Sequence, residues 1–504
     1  MSEHAKEDEI VSLVRREFLR GASWLAGAVV IGANGAILTA CTPKGEEGAA
    51  AGVKKIEGVE SVLWKDQEGY ETARLGSVWV GNKPKRYPTV IVYPKNAEEV
   101  SAAVKFAAAN KIKVTRRSGG HSWTAPHLQN GTMQINLTSW QDVQVDAATK
   151  TAWIQPGLKS GALTAALDPQ NLMFTFPHPA DVALGGFLLC GGYGRNSRHW
   201  GVACSNILEV ECVNAKGEII KANETENPDF YWAARGAGPG FFGIVTRFKL
   251  RVFDKPKVIR ARTYGYDMKD FDAVMKWTVD VLPKIPSFVE SLVFRRRYDE
   301  KTNDWSKDDT IVVIAVAMED DVKKVDDALE VFESCPARKN ATFVARNDTA
   351  TLQEFYDRNT KIEPLGWNYA VDGVWLEADP DKLVPAIKPM FETVPTPRSY
   401  IYYALWGPVH PMADMANSLQ SRIYVAAHTR WENAADNDKM YAWTTDSIKA
   451  LEPLSIGSKL NDDSLVRRTF NYFSPAAEAR LKELTAKHDP DSLFATFLKV
   501  GDPV

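Results

Sequence analysis

Six consecutive residues, Arg117-Ser118-Gly119-Gly120-His121-Ser122, place a cation, two hydroxyls, a glycine pair and an imidazole in one short stretch. Two adjacent glycines let the backbone take positive φ and turn tightly. Such a bend aims successive N–H groups at one point and makes a concave site for an anion such as a phosphate. His121 follows at the lip of the bend, where an imidazole nitrogen can bond to a cofactor. Taken alone, the hexapeptide also fits a plain turn with a surface histidine. A second stretch, from His178 to Gly194, sets Gly185, Gly186, Gly191 and Gly192 among apolar residues. Glycine density of that kind lets backbone pass close to a flat ring or a diphosphate.

The elements around the hexapeptide favour the cofactor reading. Residues 89–93 read as a short buried strand ended by Pro94, and Asn96 can cap a helix over 97–109. Val100, Val104 and Ala107 recur along that helix at helical spacing, and 112–115 reads as the next strand. The order is strand, helix, strand, glycine loop, histidine. Further strands are predicted at 133–137, 143–146 and 152–155, with a hairpin over 207–214 and 218–221 and an alternating strand over 243–250. Gly236-Ala237-Gly238-Pro239-Gly240 looks like a nucleotide fingerprint but has the wrong spacing for one.

On these residues the sequence resembles the flavoproteins of the vanillyl-alcohol-oxidase and p-cresol-methylhydroxylase (PCMH) type, and more closely their berberine-bridge-enzyme-like branch. The resemblance implies an α+β, two-domain PCMH-type FAD-binding fold with an antiparallel-sheet substrate domain. It implies that Arg117, Ser118, Gly119, Gly120, His121 and Ser122 hold the FAD pyrophosphate, with His121 joined covalently to the flavin 8α-methyl. Gly185, Gly186, Gly191 and Gly192 would lie along the flavin and pyrophosphate. The stretch around Gly201 would lead to the adenine side, and Val245 would join the cofactor residues from the strand that closes this part of the domain. Phe470-Asn471-Tyr472 resembles the family's Asn-Tyr segment, with Asn471 at the pyrimidine side of the ring and Tyr472 as base. The acid often found after that tyrosine is replaced by Phe473-Ser474-Pro475. A free tyrosine, with a pKa of about 10, would need a nearby cation or the flavin to lower it. Many family members carry a second, cysteinyl flavin link. Its position falls at or near His178, and Cys190 is out of register for it, so Cys190 reads as a small buried residue and one covalent link through His121 is expected.

From about residue 254 to 460 strands alternate with amphipathic helices. Strands are expected at 289–295, 310–316, 400–406 and 422–430, and helices at 268–282, 322–333, 380–391 and 434–450. Tyr400, Tyr402 and Trp406 share one strand face by parity and Tyr403 takes the other. Trp375 with Glu377, and His428 with Arg430, form similar same-face pairs. Glu377, Tyr402 and His428 are the candidate substrate residues, and the aromatic face suits a sugar or an aromatic ring.

Arg15-Arg16 precedes an apolar, glycine-rich run that ends in Leu38-Thr39-Ala40-Cys41. The run is too broken by glycine and Asn34 for a stable membrane span. It reads as a twin-arginine signal over residues 1–40 with a lipoprotein box, Cys41 being the lipidated residue. Residues 41–58 form a tether, 59–253 the FAD domain, 254–459 the substrate domain and 460–504 a return to the FAD domain. The net charge of −3 over 504 residues, without a basic stripe, argues against nucleic acid. The five cysteines form no Cys-x-x-Cys pair, which argues against structural zinc and leaves a disulfide open. Arg295-Arg296-Arg297 and Arg467-Arg468 are expected to be solvated or substrate-side charges. The expectation is an exported enzyme, anchored by lipid at the outer side of the cytoplasmic membrane or in the periplasm or outer membrane. It would move hydride from the C–H of an alcohol, hemiacetal or amine to FAD, and electrons on to oxygen or a membrane acceptor. The alternative is a flavin-carrying electron-transfer or binding lipoprotein that oxidises no small molecule.

Overall fold

The computed structural model describes residues 55–296, 310–363, 365–407, 411–460, 462, 466–469 and 471–503. The expected export signal, Cys41 and the expected tether as far as residue 54 lie outside the described residues, as does Phe470. Residues 55–504 form one unit.

Four strands open the chain: β1 (Val62–Trp64), β2 (Val90–Val92), β3 (Val114–Arg117) and β4 (Met133–Asn136), in the order β1-β2-β4-β3. Asn96 Oδ1 accepts the Glu99 N–H at 2.9 Å and so starts the helix Ala97–Ala109 as its sequence predicts. This helix carries the chain from β2 to β3, and both strands run parallel to β4 between them. Strand β3 starts two residues later than expected and runs into the first arginine of the hexapeptide, so the glycine loop leaves directly from a strand end. The apolar phase of the helix packs Val100, Val104 and Ala107 against Val90, Val92 and Val114.

A second sheet follows from β5 (Val143–Asp146), β6 (Thr151–Ile154), β8 (Ile207–Val213), β9 (Ile219–Ala222) and β10 (Ile244–Arg251), all antiparallel. Between them β7 (Leu172–Met173) pairs only with β11 (Phe253–Asp254).

The third sheet has eight antiparallel strands: β12 (Val258–Asp267), β13 (Val289–Arg296), β14 (Thr310–Glu319), β15 (Phe343–Asn347), β16 (Asn368–Leu376), β17 (Tyr400–Leu405), β18 (Ile423–Trp431) and β19 (Ser455–Gly457). Their order is β15-β12-β14-β13-β17-β18-β16-β19. One face, with Val293, Val313, Ala315, Ile401, Tyr403, Val425 and Ala427, is buried under the helices Phe271–Val281, Val322–Glu330 and Pro380–Glu392. Each large apolar side chain on it contributes about 1.5–3 kcal/mol by leaving water. Strand parity then fixes the other face. Glu290, Leu292 and Phe294 of β13, Ile314 and Val316 of β14, Tyr400 and Tyr402 of β17 and His428 of β18 all point away from the helices into one cavity.

One arginine of each charge cluster, Arg295 and Arg468, is not solvated surface. Arg295 is buried and donates to Phe391 O at 3.1 Å. Arg468 holds the fully buried Asp372 carboxylate through Nε and Nη2 at 2.8 and 3.0 Å. The chain end returns to the first sheet, where Phe494 bridges Val114 in parallel, the Val114 N–H donating to Leu493 O and the Ala495 N–H to Val114 O.

Candidate active site

The loop after β3 has its shape because of where its glycines sit. Gly120 has φ +78°, and a Cβ there would stand 2.1 Å from Ser77 O. Gly185 closes the opposite side, where a Cβ would meet Ser118 Oγ at 2.5 Å and Pro156 Cβ at 2.7 Å. No side chain fits at either position without moving backbone. The loop therefore lies flat against the turn that leads into the short helix Leu184–Leu189. Among the described residues, no acceptor meets the backbone N–H groups of residues 118–122. Arg117 donates Nη2 to Gly119 O at 3.2 Å, its Nε is buried without a partner, and burial lowers its pKa to about 10.

His121 stacks on Trp79 with ring centroids 4.5 Å apart, and its Nε2 lies 3.3 Å from Asp181 Oδ1. Trp79 Nε1 donates to the second oxygen of Asp181 at 3.2 Å. The histidine is thus flanked by a ring on one side and, at its far nitrogen, by a carboxylate with which it makes no hydrogen bond.

From this loop a cavity of about 360 Å³ runs to the open face of the eight-stranded sheet. At one part of that face His178 Nε2 lies 2.9 Å from Glu290 Oε1, while Arg195 Nη1 donates to Glu290 Oε2 at 2.7 Å. Burial opposes ionisation of Glu290, but the neighbouring His178 and Arg195 outweigh it and bring its pKa to about 2. Arg198, donating to the carbonyls of Ile285, Pro286, Val289 and Trp406, pins the start of β13 beside them.

A second polar group stands further along. Lys459 Nζ lies 2.8 Å from Asp462 Oδ2, and Trp123 Nε1 donates to Asp462 Oδ1 at 3.3 Å. His428 stacks on Tyr400 at 4.5 Å, its Nδ1 is buried without a partner, and burial drives its pKa down to about 3. The Tyr400 hydroxyl donates to Glu363 Oε1 at 3.0 Å. Burial raises the Tyr400 and Tyr402 hydroxyls well above the ordinary tyrosine value. The wall between these groups is apolar, made by Leu292, Phe294, Ile314, Val316 and Phe355.

A family profile described as an FAD binding domain matches residues 88–223, which hold the glycine loop and the second glycine segment. The FAD-linked oxidoreductase nodO of Hypoxylon pulicicidum is 32% identical over 443 residues, covering 86% of this chain and 96% of that protein. The chain belongs to the FAD-linked oxidoreductases. Among solved structures, 6-hydroxy-D-nicotine oxidase from Arthrobacter nicotinovorans superposes with a TM-score of 0.74 at 20% identity, covering 88% of this chain and 98% of that one. Berberine bridge enzyme from Eschscholzia californica does so with a TM-score of 0.72 at 16% identity, covering 89% and 97%. The fold is the PCMH-type, berberine-bridge-like fold expected from the hexapeptide.

The residues of this FAD-linked oxidoreductase fit its cofactor. The free N–H groups of residues 118–122, the orphaned Nε of Arg117 and the close backbone approach at Gly120 and Gly185 suit a diphosphate. Among the sequence candidates, Arg117, Ser118, Gly119, Gly120, His121, Ser122, Gly186 and Gly192 line the cavity. Gly185 backs Ser118 from just behind, and Gly191 and Gly201 shape their turns with φ of +98° and +83°. Val245 is buried near the start of β10, paired with Cys212, and does not line the cavity. Cys190 is buried and does line it, as does His178. No disulfide joins the four described cysteines.

The substrate candidates divide. Tyr402 and His428 reach the cavity, whereas Glu377 lies just past the end of β16, exposed, with its N–H donating to Leu454 O. Asn471 is exposed and contributes its carbonyl to Ser458 N–H at 2.8 Å. Tyr472 does not line the cavity: its ring stacks on Phe497, centroids 5.6 Å apart, in an aromatic cluster with Phe473. The expected base at Tyr472 thus stands apart from the residues that face the cavity.

Sequence reasoning missed Glu290, Arg195, Lys459 and Asp462. For Glu290 a signal existed, because it shares the phase of Leu292 and Phe294 on a strand whose other phase is Val289, Ser291 and Val293. A carboxylate on an otherwise apolar phase marks a polar spot in a wall.

Proposed function

We propose that the chain is an exported, lipid-anchored oxidoreductase that takes hydride from a C–H bond bearing a hydroxyl or amine to FAD linked covalently through His121. The observation that carries this reading is the single cavity joining the glycine loop and His121 to the open face of the eight-stranded sheet. FAD, when bound, supplies the two-electron acceptor. The loop holds the diphosphate, and His121, stacked on Trp79, presents its ring for the link. The sheet face then receives the substrate. Its wall of Leu292, Phe294, Ile314, Val316 and Phe355 favours an extended apolar or aromatic alcohol or amine over a sugar. Tyr402 and His428 supply polar contacts to the reacting end. The Arg15-Arg16 pair and the box ending at Cys41 support export as a folded, cofactor-loaded chain with delivery of electrons to oxygen or to an acceptor in the membrane.

The test has three arms. Denatured protein should keep its flavin, and peptide mass mapping should place it on His121 alone. Under anaerobic conditions a panel of aliphatic and aromatic alcohols, amines and sugars should include donors that bleach the flavin, apolar ones fastest. Bleaching by none, with exchange only with protein partners, would favour an electron carrier. Arg15→Lys with Arg16→Lys should leave holoprotein in the cytoplasm, and Cys41→Ser should abolish lipid attachment.

A further inference from the structure

We propose that His178 is the proton acceptor in substrate oxidation, set in the working tautomer by Glu290; this rests on the reading of the chain as an oxidiser of alcohols or amines. His178 and Glu290 are 112 positions apart in sequence and meet only at the cavity wall, with Nε2 2.9 Å from Oε1. The other oxygen of Glu290 accepts from Arg195 Nη1 at 2.7 Å. An ionised carboxylate can only accept, so the shared proton belongs to Nε2. In the neutral form of the ring Nδ1 is then the nitrogen with the lone pair, able to take a proton at the cavity wall.

The charges around the pair suit a proton that comes and goes. Glu290 and Arg195 cancel, and Arg195 lies over the Phe355 ring at 4.3 Å. A proton arriving on His178 therefore makes a cation directly beside a carboxylate, instead of an uncompensated charge in an apolar wall. Arg198 also acts on Glu290, and Glu290 in turn acts on the Tyr402 hydroxyl of the neighbouring strand β17. The other cavity groups are worse acceptors. The Tyr400 and Tyr402 hydroxyls resist ionisation, and buried His428 holds a proton only below a pH of about 3.

The step balances as follows. The substrate C–H hydrogen leaves with its electron pair to FAD, which takes up two electrons. The substrate O–H or N–H bond breaks with its pair staying on the heteroatom, which closes a C=O or C=N bond. The released proton forms a new N–H bond at His178 Nδ1. Glu290 touches neither substrate nor cofactor in this scheme. It is a positioning residue that fixes which ring nitrogen is free.

Two measurements test this on the holoprotein. ¹⁵N NMR of histidine-labelled protein should show His178 as the Nε2–H tautomer, and Glu290→Gln, whose amide can either donate or accept, should mix the tautomers. A ring protonated at Nδ1 overturns the proposal. In anaerobic stopped flow with the alcohol or amine that bleaches the parent fastest, His178→Gln should slow flavin reduction by ~10²–10⁴-fold. FAD content and reoxidation by oxygen should stay as in the parent, and Glu290→Asp should recover more of the rate than Glu290→Gln. A His178→Gln protein reduced at the parental rate overturns the acceptor role while leaving the donor class standing. A parent that no alcohol or amine bleaches overturns the donor class and the acceptor role together.

Discussion

One wall of the cavity is made of backbone and the other of side chains. Around Gly120 and Gly185 the chain comes so close to Ser77, Ser118 and Pro156 that even a methyl group would collide. What this wall offers is a row of N–H groups, with one arginine and one histidine. Across the cavity β13, β14, β17 and β18 offer their alternate side chains, and nearly every feature of that wall can change by substitution without moving a strand. The difference separates two jobs. A diphosphate is invariant and is met by fixed geometry, whereas a substrate is met by replaceable groups on a stiff sheet.

The strongest break of this comparison is Gly120→Val. It forces a β-branched residue to φ +78° with backbone oxygen at the site of its Cβ. The positive φ alone costs about 1–3 kcal/mol, before the clash. Flavin absorbance per protein should fall to near the apoprotein level. A variant that loads FAD normally would show that the loop is not the rigid wall described.

On the sheet side the largest effect is one of pH. The Glu290 pKa drops from 4.5 to about 2 on folding, so its contribution to stability is present above 4.5 and is lost as pH falls towards 2. That gap corresponds to on the order of 3 kcal/mol. Urea unfolding between pH 5 and pH 2 should show a steep acid limb in the parent that flattens in Glu290→Gln. An unchanged limb would mean that His178 and Arg195 do not hold this carboxylate.

Tyr402→Phe should be milder. It removes a hydroxyl from the cavity and nothing from the fold, so FAD content and melting temperature should match the parent. Loss of one hydrogen bond of about 0.5–1.5 kcal/mol should raise KM roughly 2- to 10-fold. A loss of FAD instead would blur the division between the two walls. The smallest effect is expected from Tyr472→Phe, which keeps the ring on Phe497 and should leave flavin reduction at the parental rate. Slowing by ~10²–10⁴-fold would restore the base to Tyr472.

The two walls were also unequally legible. The glycine loop could be read because its chemistry is contiguous, and the elements on either side, with Asn96 as cap, are set by local preferences. Parity along β17 correctly sent Tyr400 and Tyr402 to one face and Tyr403 to the other. The charged groups of the substrate wall are joined across long gaps instead. His178 meets Glu290 and Trp123 meets Asp462, pairings that no periodicity encodes. The Asn471-Tyr472 motif likewise gives residue order but not which way the ring turns, here onto Phe497. The helix Leu352–Ile362 was missed as well, although Thr351 and Glu354 cap its start reciprocally. The neighbouring glycine- and proline-containing stretch hid its apolar phase of Leu352, Phe355 and Tyr356.

The short bridge between Val114 and the residues around Phe494 carries a consequence in time. Asp489 fixes that segment by accepting the N–H groups of Leu493 and Phe494 at 2.7 and 2.9 Å, and the segment completes the edge of β3 from which the glycine loop springs. A ribosome delivers the loop some 370 residues before it delivers this support, as the positions of Ser122 and Phe494 show. The nascent chain thus carries an unsupported cofactor cradle while those residues are made. A product truncated before Asp489 should therefore be a colourless one.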